Sequence, residues 1–352
     1  MSIELSQLQS LGWSHFFSTQ ISLEDFESIR PARVVRVDRG RFRVDTGAEE
    51  CTATLAGRMH HDQEQAQDVT VGDWVLLAQD DPVIVARLER HTLIERREAG
   101  GVEPQPIAAN IDLMLIVSGL DAEFNLHRIE RYLVLAAQTD VTPLVLLTKA
   151  DLAEAPELTV EQVRKRLPPG ADVIAVDALR DPLGERLAPW LVPGATLVVV
   201  GSSGVGKSTV VNNLAVQSLQ ATGTTRSDAK GRHTTTSRSL IRLPSGACII
   251  DVPGIREVGL ATDGGVERQF SSIAELASRC RFADCTHQTE PGCAVRDAVE
   301  RGEIEQDAWS HYLKLLAEER HNVAEHERRR RERIFGKMVR EVVAAKKRDR
   351  RE

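Results

Sequence analysis

A glycine-rich segment, G-S-S-G-V-G-K-S from Gly201 to Ser208, carries the residue types that hold a polyphosphate. It follows an apolar run, T-L-V-V-V, and precedes a predicted helix from Thr209 to Leu219, which is the context of a P-loop. Glycines let backbone N–H groups turn toward the phosphates, Lys207 neutralises their charge, and the Ser208 hydroxyl can bind Mg²⁺. The predicted contacts to the nucleotide are Gly201, Ser202, Ser203, Gly204, Val205, Gly206, Lys207, Ser208 and Thr209.

Two segments further along the chain offer groups for the γ-phosphate and for Mg²⁺. The run I-I-D-V-P-G predicts a strand whose Asp251 can hold Mg²⁺ through water and whose Gly254 N–H can reach the γ-phosphate. Between it and the P-loop lies G-R-H-T-T-T-S-R, in which Thr235 is the first choice to complete the Mg²⁺ shell. Thr234 and Thr236 are the alternatives, and a solvated threonine-rich loop is the simpler interpretation.

A third group of residues can select the base. The run L-V-L-L-T-K-A-D ends at Asp151, whose carboxylate can accept both N1–H and the amino group of guanine while the Lys149 stem lies along the ring. Adenine lacks that pair of donors and would leave the carboxylate unpaired. A bare K-x-D triplet is common by chance, so its position at the end of a predicted strand carries the argument. The residues assigned to the base are Thr148, Lys149, Ala150, Asp151, Asp177 and Ala178, the last through its backbone N–H.

Cysteine and histidine are crowded into one short stretch, with the spacing C-x4-C-x-H-x5-C. Three thiolates and one imidazole form a closed tetrahedral zinc set, which leaves no open position for catalysis. A disulfide is a poorer explanation in a reducing compartment, and it would not need the histidine. The predicted ligands of one structural Zn²⁺ are Cys280, Cys285, His287 and Cys293.

The elements that must position these residues fall into three groups. Residues 32–90 contain about five short alternating segments with turn signals, which favours a small β-barrel of the OB-fold type over an antiparallel sheet packed on the next domain. A Gly/Pro-rich linker, E-A-G-G-V-E-P-Q-P, follows. Apolar strands then alternate with helical segments, as in a parallel sheet covered by helices on both faces. The predicted domains are 1–105, 106–260 and 261–352, the last containing the zinc set and further helices.

Charge is distributed unevenly along the chain. The net charge is −7, yet the segment from His321 to Glu352 contains 12 Lys/Arg and 6 Asp/Glu. A basic end on an acidic body excludes a uniformly basic nucleic-acid binder but allows local contact with phosphates. No apolar run is long enough to cross a bilayer and the first residues do not resemble a secretion signal, so we expect a cytoplasmic protein without membrane contact.

The order of the motifs leads to a family. T-K-A-D precedes G-S-S-G-V-G-K-S by about fifty residues, whereas ordinary GTPases have the P-loop first. With G-R-H-T-T-T and D-V-P-G next, the chain closely resembles the circularly permuted, small-ribosomal-subunit-dependent GTPases of the GTPase A family. The resemblance implies an N-terminal OB-fold, a permuted α/β P-loop GTPase domain and a C-terminal zinc domain. Thr148 departs from the Asn of many GTPases, and Asp177 from a common Ser.

The resemblance also implies an activity and a partner. GTP would order the two switch segments, and its hydrolysis would release them, late in the assembly of the small ribosomal subunit. The barrel, the zinc domain and the basic end would contact the subunit and its rRNA, and the protein would act as a monomer. Ile255 stands where many GTPases have the glutamine that orients water, so we expect slow intrinsic hydrolysis and partner stimulation. His233 is the candidate for positioning water.

Two other classes of function remain compatible with the residues. A P-loop ATPase or small-molecule kinase would make T-K-A-D accidental, and ATP would then compete with GTP. An RNA-binding module with a purely structural nucleotide would show negligible turnover with any partner. Comparison of GTP and ATP binding separates the first alternative from a GTPase.

Overall fold

The computed structural model describes residues 5–22, 28–38, 40–57, 69–96, 105–222, 238–251 and 264–349. Contacts divide the chain into two compact units, Met1–Arg97 with Pro104–Val258, and Glu98–Glu103 with Gly259–Glu352. Within the described ranges, no helix is long and apolar enough to span a membrane.

The first unit begins with a closed barrel of five strands. These are β1 (Ile29–Asp38), β2 (Arg41–Asp45), β3 (Glu50–Leu55), β4 (Trp74–Ala78) and β5 (Val83–Arg87). Their order is β1-β2-β3-β5-β4, and β1 also pairs with β4, which closes the barrel. The pair β3 and β5 is parallel, and the others are antiparallel. The predicted OB-fold-like barrel is therefore confirmed, and its two-sided alternation arises because one side of each strand faces an apolar interior.

Two short helices precede the barrel and pack on it. Helices α1 (Leu5–Gln9) and α2 (His15–Ser18) belong to an apolar cluster with residues of the barrel. The ring of Trp13 lies 4.7 Å from that of Trp74 in an edge-to-face arrangement. Such aromatic pairs stabilise a fold by about 0.5 to 1.5 kcal/mol beyond the contribution from burying their surfaces. The two helices are therefore part of the folded unit.

A mixed sheet follows the barrel, after the two-stranded pair β6 (Leu93–Arg96) and β7 (Gln105–Ala109). Its elements, in chain order, are β8 (Leu113–Gly119), α3 (Leu126–Thr139), β9 (Thr142–Thr148), α4 (Pro156–Arg164), β10 (Asp172–Ala175), α5 (Leu183–Arg186), β11 (Thr196–Val200), α6 (Lys207–Thr222), β12 (Ser239–Arg242) and β13 (Cys248–Asp251). The spatial order is β10-β9-β8-β11-β13-β12. Only β12 is antiparallel to its neighbour in this part of the sheet.

Helices cover both faces of the parallel strands. One apolar cluster joins alternate strand residues to α3 and α4 through Ile129, Leu133 and Val163. The other joins the remaining strand residues to α5 and α6 through Leu183 and Val210. Strands buried on both faces need apolar side chains at nearly every position, which explains the continuous runs in the sequence. The predicted doubly covered sheet is confirmed.

The barrel is continuous with the parallel sheet. Arg36 of β1 pairs with Ser239 of β12, so the two parts form one sheet of eleven strands. Arg33 is 1% exposed and donates hydrogen bonds to Gly72 O at 3.3 Å and to Asn110 O at 3.0 Å. Gly72 precedes β4 of the barrel and Asn110 precedes β8 of the parallel sheet. The buried cation therefore joins the two parts through its carbonyl partners.

The second unit is helical in its described part. It contains α7 (Gly265–Gln269), α8 (Ser271–Ala277), α9 (Ala294–Glu300) and the long α10 (Gln306–Asp349). The segment between α8 and α9 carries the cysteines and the histidine. Tyr312 of α10 is buried against Phe270 at a ring distance of 5.6 Å, and against His287 at 6.4 Å. The first turns of α10 thus pack directly on the Cys/His segment.

Candidate nucleotide site and metal centre

The topology of the sheet creates a crevice at the edge formed by the carboxyl ends of its parallel strands. From β8 the chain proceeds outward through β9 to β10, and then returns to β11 on the opposite side of β8. Strand order reverses between β8 and β11, so the loops after these two strands lead away in opposite directions. Val200, the last residue of β11, is level with Ile116 of β8. The P-loop therefore begins at the point where an open α/β sheet binds its ligand.

The glycines of the P-loop have physical reasons to be glycine. Gly201 has φ of 141°, and a Cβ there would lie 2.2 Å from Val117 O, which no side chain allows. Gly206 has φ of 95°. Lys207 Nζ donates to Gly201 O at 2.8 Å and Ser202 O at 2.5 Å, so the ammonium group lies within the loop. Ser208 is exposed in the first turn of α6, where N–H groups and the helix dipole favour an anion.

Thr148 connects the base-reading segment to the P-loop. It is 1% exposed, at the end of β9, and its hydroxyl lies 2.6 Å from Val205 O and 3.3 Å from Ser118 O. Position 148 was a departure from the Asn of many GTPases. The structure places a side-chain donor there that contacts the P-loop backbone, so the residue joins the two loops directly.

Lys149 is held by a residue that the motif does not contain. Its backbone is left-handed, with φ of 58°, and its Nζ lies 2.5 Å from Asp121 Oδ2 in the loop after β8. The hydrogen bond from Lys149 holds the pKa of Asp121 below its usual range. Asp151 follows in a 3-10 turn, Ala150–Leu152, with its side chain exposed to solvent.

The loop after β10 lies beside this turn. Ala150 N donates to Val176 O at 3.2 Å, which brings the T-K-A-D turn against the segment of Asp177 and Ala178. The Asp177 carboxylate accepts from Leu179 N at 2.9 Å, so this side chain shapes its own loop. Ala178 is buried, and the two segments predicted to read the base are adjacent.

Asp251 lies at the same edge of the sheet, half-buried at the end of β13. Ile250 pairs with Val198 of β11. Asp251 is therefore level with Val199, two residues before Gly201. The other predicted participants of the switch segments lie outside the described residues. These are His233, Thr234, Thr235, Thr236, Gly254 and Ile255.

Three side chains at this edge were missed by sequence reasoning. Asp121 pairs with Lys149, Arg128 Nη1 lies 3.1 Å from Ser202 Oγ, and Asn213 Nδ2 donates to Ala178 O at 3.2 Å. The paired residues are 28, 74 and 35 positions apart. No spacing within a motif encodes such pairs, because they meet only through the order of the strands.

The metal-type residues of the second unit converge on one point. The ligand atoms of Cys280, Cys285, His287 and Cys293 all lie within 4.8 Å of one another. Cys280 Sγ is 3.9 Å from Cys293 Sγ, and His287 Nδ1 is 3.5 Å from both sulfurs. A tetrahedral Zn²⁺ bound at about 2.3 Å to sulfur and 2.0 Å to nitrogen separates its ligands by roughly 3.5 to 3.8 Å. The separations among Cys280, His287 and Cys293 are close to these values, and Cys285 lies within 4.8 Å of the other three ligand atoms.

The surroundings of the cluster also suit a structural metal. Three of the four residues are buried, and burial raises the pKa of the Cys285 thiol to about 11 and lowers the pKa of His287. A buried thiol stays protonated unless a cation replaces its proton. Glu290 accepts hydrogen bonds from Thr286 N at 2.9 Å and Thr289 N at 3.1 Å, which fixes the turn that carries His287. The arrangement can hold a metal, and its four protein donors leave no position for a substrate.

Comparisons with known proteins agree with this geometry. The family model of the RsgA GTPase matches residues 87–261. A Vibrio parahaemolyticus protein named small ribosomal subunit biogenesis GTPase RsgA 2 is 43% identical over 345 residues, which cover 97% of this chain and 94% of that protein. A Mesorhizobium japonicum protein named small ribosomal subunit biogenesis GTPase RsgA is 42% identical over 323 residues, covering 90% of each chain.

Solved structures show the same fold. YjeQ from Thermotoga maritima superposes with a TM-score of 0.60 at 26% identity, covering 83% of this chain and 98% of that one. YloQ, described as a circularly permuted GTPase, superposes with a TM-score of 0.61 at 24% identity, covering 85% and 98%. The permuted GTPase fold expected from the motif order is confirmed, together with its barrel.

Proposed function

The chain belongs to the RsgA GTPase family and is a GTP hydrolase, and we propose that it acts on the small ribosomal subunit late in its assembly. The observation that carries the proposal is the identity of 42 to 43% over nearly the whole length with relatives named for that process. The site supports it, because the P-loop and the T-K-A-D turn meet at one edge of the sheet.

Each predicted nucleotide residue has a role consistent with its position. We propose that Lys207 and the backbone N–H groups of Gly201 to Thr209 hold the phosphates. Asp151 accepts from the guanine edge, Lys149 lies along the ring, and the Ala178 N–H meets O6. Thr148 and Asp177 keep these segments in place through their hydrogen bonds to the P-loop and to Leu179. Guanine is favoured because an exposed carboxylate loses its water only in exchange for two donors.

Mg²⁺ would be held by Ser208 and Thr235, with Asp251 acting through water. Such an ion would neutralise the negative charge that develops on the phosphate during hydrolysis. Gly254 would donate its N–H to the γ-phosphate, and His233 would position the attacking water. Because Ile255 cannot hydrogen-bond water, intrinsic hydrolysis is slow and a partner completes the site.

We further propose one structural Zn²⁺ on Cys280, Cys285, His287 and Cys293. Its support is the set of ligand separations, which match those of a tetrahedral ion. The second unit then has a fixed centre around which α8, α9 and the start of α10 are arranged. The metal has a structural role and takes no part in hydrolysis.

The expected partner is rRNA of the small subunit, contacted by the barrel, the zinc domain and the basic end of the chain. The segment from His321 onward has twice as many basic as acidic residues, and it can displace phosphate counterions. We expect the domains to be 1–105, 106–260 and 261–352, and the protein to act in the cytoplasm as a monomer.

Steady-state GTP turnover tests the proposal directly. The rate is measured with the protein alone, with small subunits and with large subunits at the same concentration. Small subunits should accelerate hydrolysis by about 10³ to 10⁵, as completion of such a site does in related enzymes, and large subunits should not. A fast rate for the protein alone that small subunits leave unchanged contradicts the proposal.

A further inference from the structure

Asn213 links the helix of the P-loop to the loop that faces the base. It lies half-buried on α6, six residues after Lys207, which is about 9 Å along the helix axis. Its amide nitrogen donates to Ala178 O and to Asp181 O, both at 3.2 Å. One side chain thus bridges two carbonyls of a segment that precedes it by more than thirty residues.

The chemistry of this contact is specific to an amide. A primary amide nitrogen carries two hydrogens, and both partners here are carbonyl oxygens, so both donors of Asn213 are used. A carboxylate at this position would face two carbonyls with no hydrogen to offer. An alanine would leave the two carbonyls to water. The bridge therefore requires the two N–H donors of the amide. A side chain of similar size or polarity that lacks these donors cannot form it.

The loop also has hydrogen bonds within itself. Asp177 N donates to Asp181 Oδ2 at 3.0 Å, and Asp181 N donates to Asp177 O at 2.8 Å. These bonds give residues 177–181 a closed shape, but they do not determine where that shape lies relative to the P-loop. Ala178 shares an apolar cluster with Val205 and Val210, and the Asn213 bridge adds a directional connection to α6 at Ala178 itself.

We propose that Asn213 is a positioning residue for guanine recognition, setting the distance between the phosphate-binding helix and the Ala178 N–H that meets O6. The inference rests on the proposed base-binding role of Ala178 and extends it. The first turn of α6 holds the phosphates. Through Asn213 the same helix also positions Ala178, whose N–H contacts guanine O6. Asn213 contacts neither the phosphates nor the ring, so its effect is confined to the contact it positions.

A positioning role can be distinguished from simple stabilisation, because it affects the binding of some nucleotides and not of others. Loss of the bridge lets Ala178 move from O6, while Asp151 and Lys207 keep their own positions. Binding of guanine nucleotides should weaken by about tenfold, which corresponds to one well-placed hydrogen bond. Binding of 2-aminopurine riboside diphosphate, which keeps the guanine N2 amino group but lacks both O6 and the N1–H, should change by less than about twofold, because it makes no contact that Ala178 positions.

The experiment measures the affinity of the full-length protein for GDP, ADP and 2-aminopurine riboside diphosphate. Asn213→Ala and Asn213→Asp are compared with wild type, and Asn212→Ala is the control, because Asn212 is exposed on the same helix. Asn213→Gln retains two donors and should restore part of the GDP affinity. Each variant reports a ratio between two nucleotides, so reduced folding does not imitate the result, and thermal unfolding is recorded beside it.

Three outcomes overturn the inference. These are an equal loss for GDP and the 2-aminopurine nucleotide, an unchanged ratio in Asn213→Asp, or a wild type that binds GDP and the 2-aminopurine nucleotide equally. A wild type that prefers GDP to ADP in the last case still recognises guanine through the N2 amino group, so the proposed GTPase function stands and the contacts to O6 and N1–H are removed. A wild type with no preference for GDP over ADP instead refutes the proposed function.

Discussion

The four proposed Cys/His ligands lie within fourteen residues of chain, from Cys280 to Cys293, whereas the described residues of the proposed nucleotide site extend from Ser118 to Asp251. The ligand cluster is therefore local, and it depends on a turn and two short helices. The nucleotide site depends on the order of five parallel strands and on the loops that follow them. We therefore expect loss of a metal ligand to unfold the helices around it. Substitutions in the nucleotide site should instead change binding and turnover while the sheet stays folded.

Removal of the metal should have the largest effect. Cys293→Ser takes away a buried ligand, and a structural zinc can contribute on the order of 10 kcal/mol to the folding of its domain. We expect α7 to α9 to lose protection from hydrogen exchange while the strands of the parallel sheet keep theirs. Exchange mass spectrometry and zinc analysis measure both. Cys51→Ser is the matched control, because that cysteine lies in the barrel and should leave one zinc per chain.

Zinc binding should also weaken as the pH falls. The ligands must be deprotonated to bind, and burial raises the pKa of Cys285 to about 11 in the absence of metal. The metal therefore displaces protons, and acid reverses that exchange. Zinc release from the folded protein, followed with a chromogenic chelator between pH 8 and 5, should increase steadily toward low pH. Release that is independent of pH would contradict thiolate coordination.

Lys207→Ala should have the next largest effect, and it should leave the fold intact. The ammonium group donates to two backbone carbonyls of its own loop, Gly201 O and Ser202 O. Loss of a charged group directed at the phosphates slows turnover by about 100-fold or more. Binding of GTP and ATP should weaken together. An equal fall in thermal stability and in nucleotide affinity would mean that the lysine serves mainly to hold the loop.

Asp151→Ala should change selectivity with a smaller loss of affinity. The exposed carboxylate has no role in packing, so the variant should unfold at the wild-type temperature. The preference for GDP over ADP should fall by about 10- to 100-fold, since two donors of guanine lose their acceptor. Competition binding with the two nucleotides measures this ratio. If Asp151→Ala keeps the full preference, T-K-A-D does not read the base.

Asp121→Asn tests the weakest of these contacts. The Lys149 hydrogen bond lowers the pKa of Asp121, so the pair favours the folded protein above the unfolded carboxyl pKa, near 4, and this contribution is lost as the pH falls below that value. At pH 7 we expect GDP to bind about two- to fivefold more weakly, because the lysine stem is no longer fixed beside the ring. High salt should reduce the difference between wild type and variant. A difference that is insensitive to salt would assign the effect to packing.

Much of the fold and the positions of both motifs could be predicted from the sequence. Alternating apolar positions in residues 32–90 predicted the barrel, and continuous apolar runs predicted strands buried on both faces. Helix limits were less accurate: the helix predicted from Thr209 to Leu219 is Lys207–Thr222. The helix begins at Lys207, inside the motif, because its first turn belongs to the phosphate-binding loop.

The sequence by itself determined the sites whose chemistry is contained in short spacings. The P-loop, the T-K-A-D turn and the cysteine cluster each place their groups within a few residues, so local geometry suffices to recognise them. The tertiary structure alone decided that Lys149 lies against Asp121, that Thr148 contacts Val205, and that the barrel continues the sheet through Arg36 and Ser239. These contacts join residues 28 to 203 positions apart. Strand order brings them together, and strand order follows from the packing of the whole sheet, which no single segment encodes.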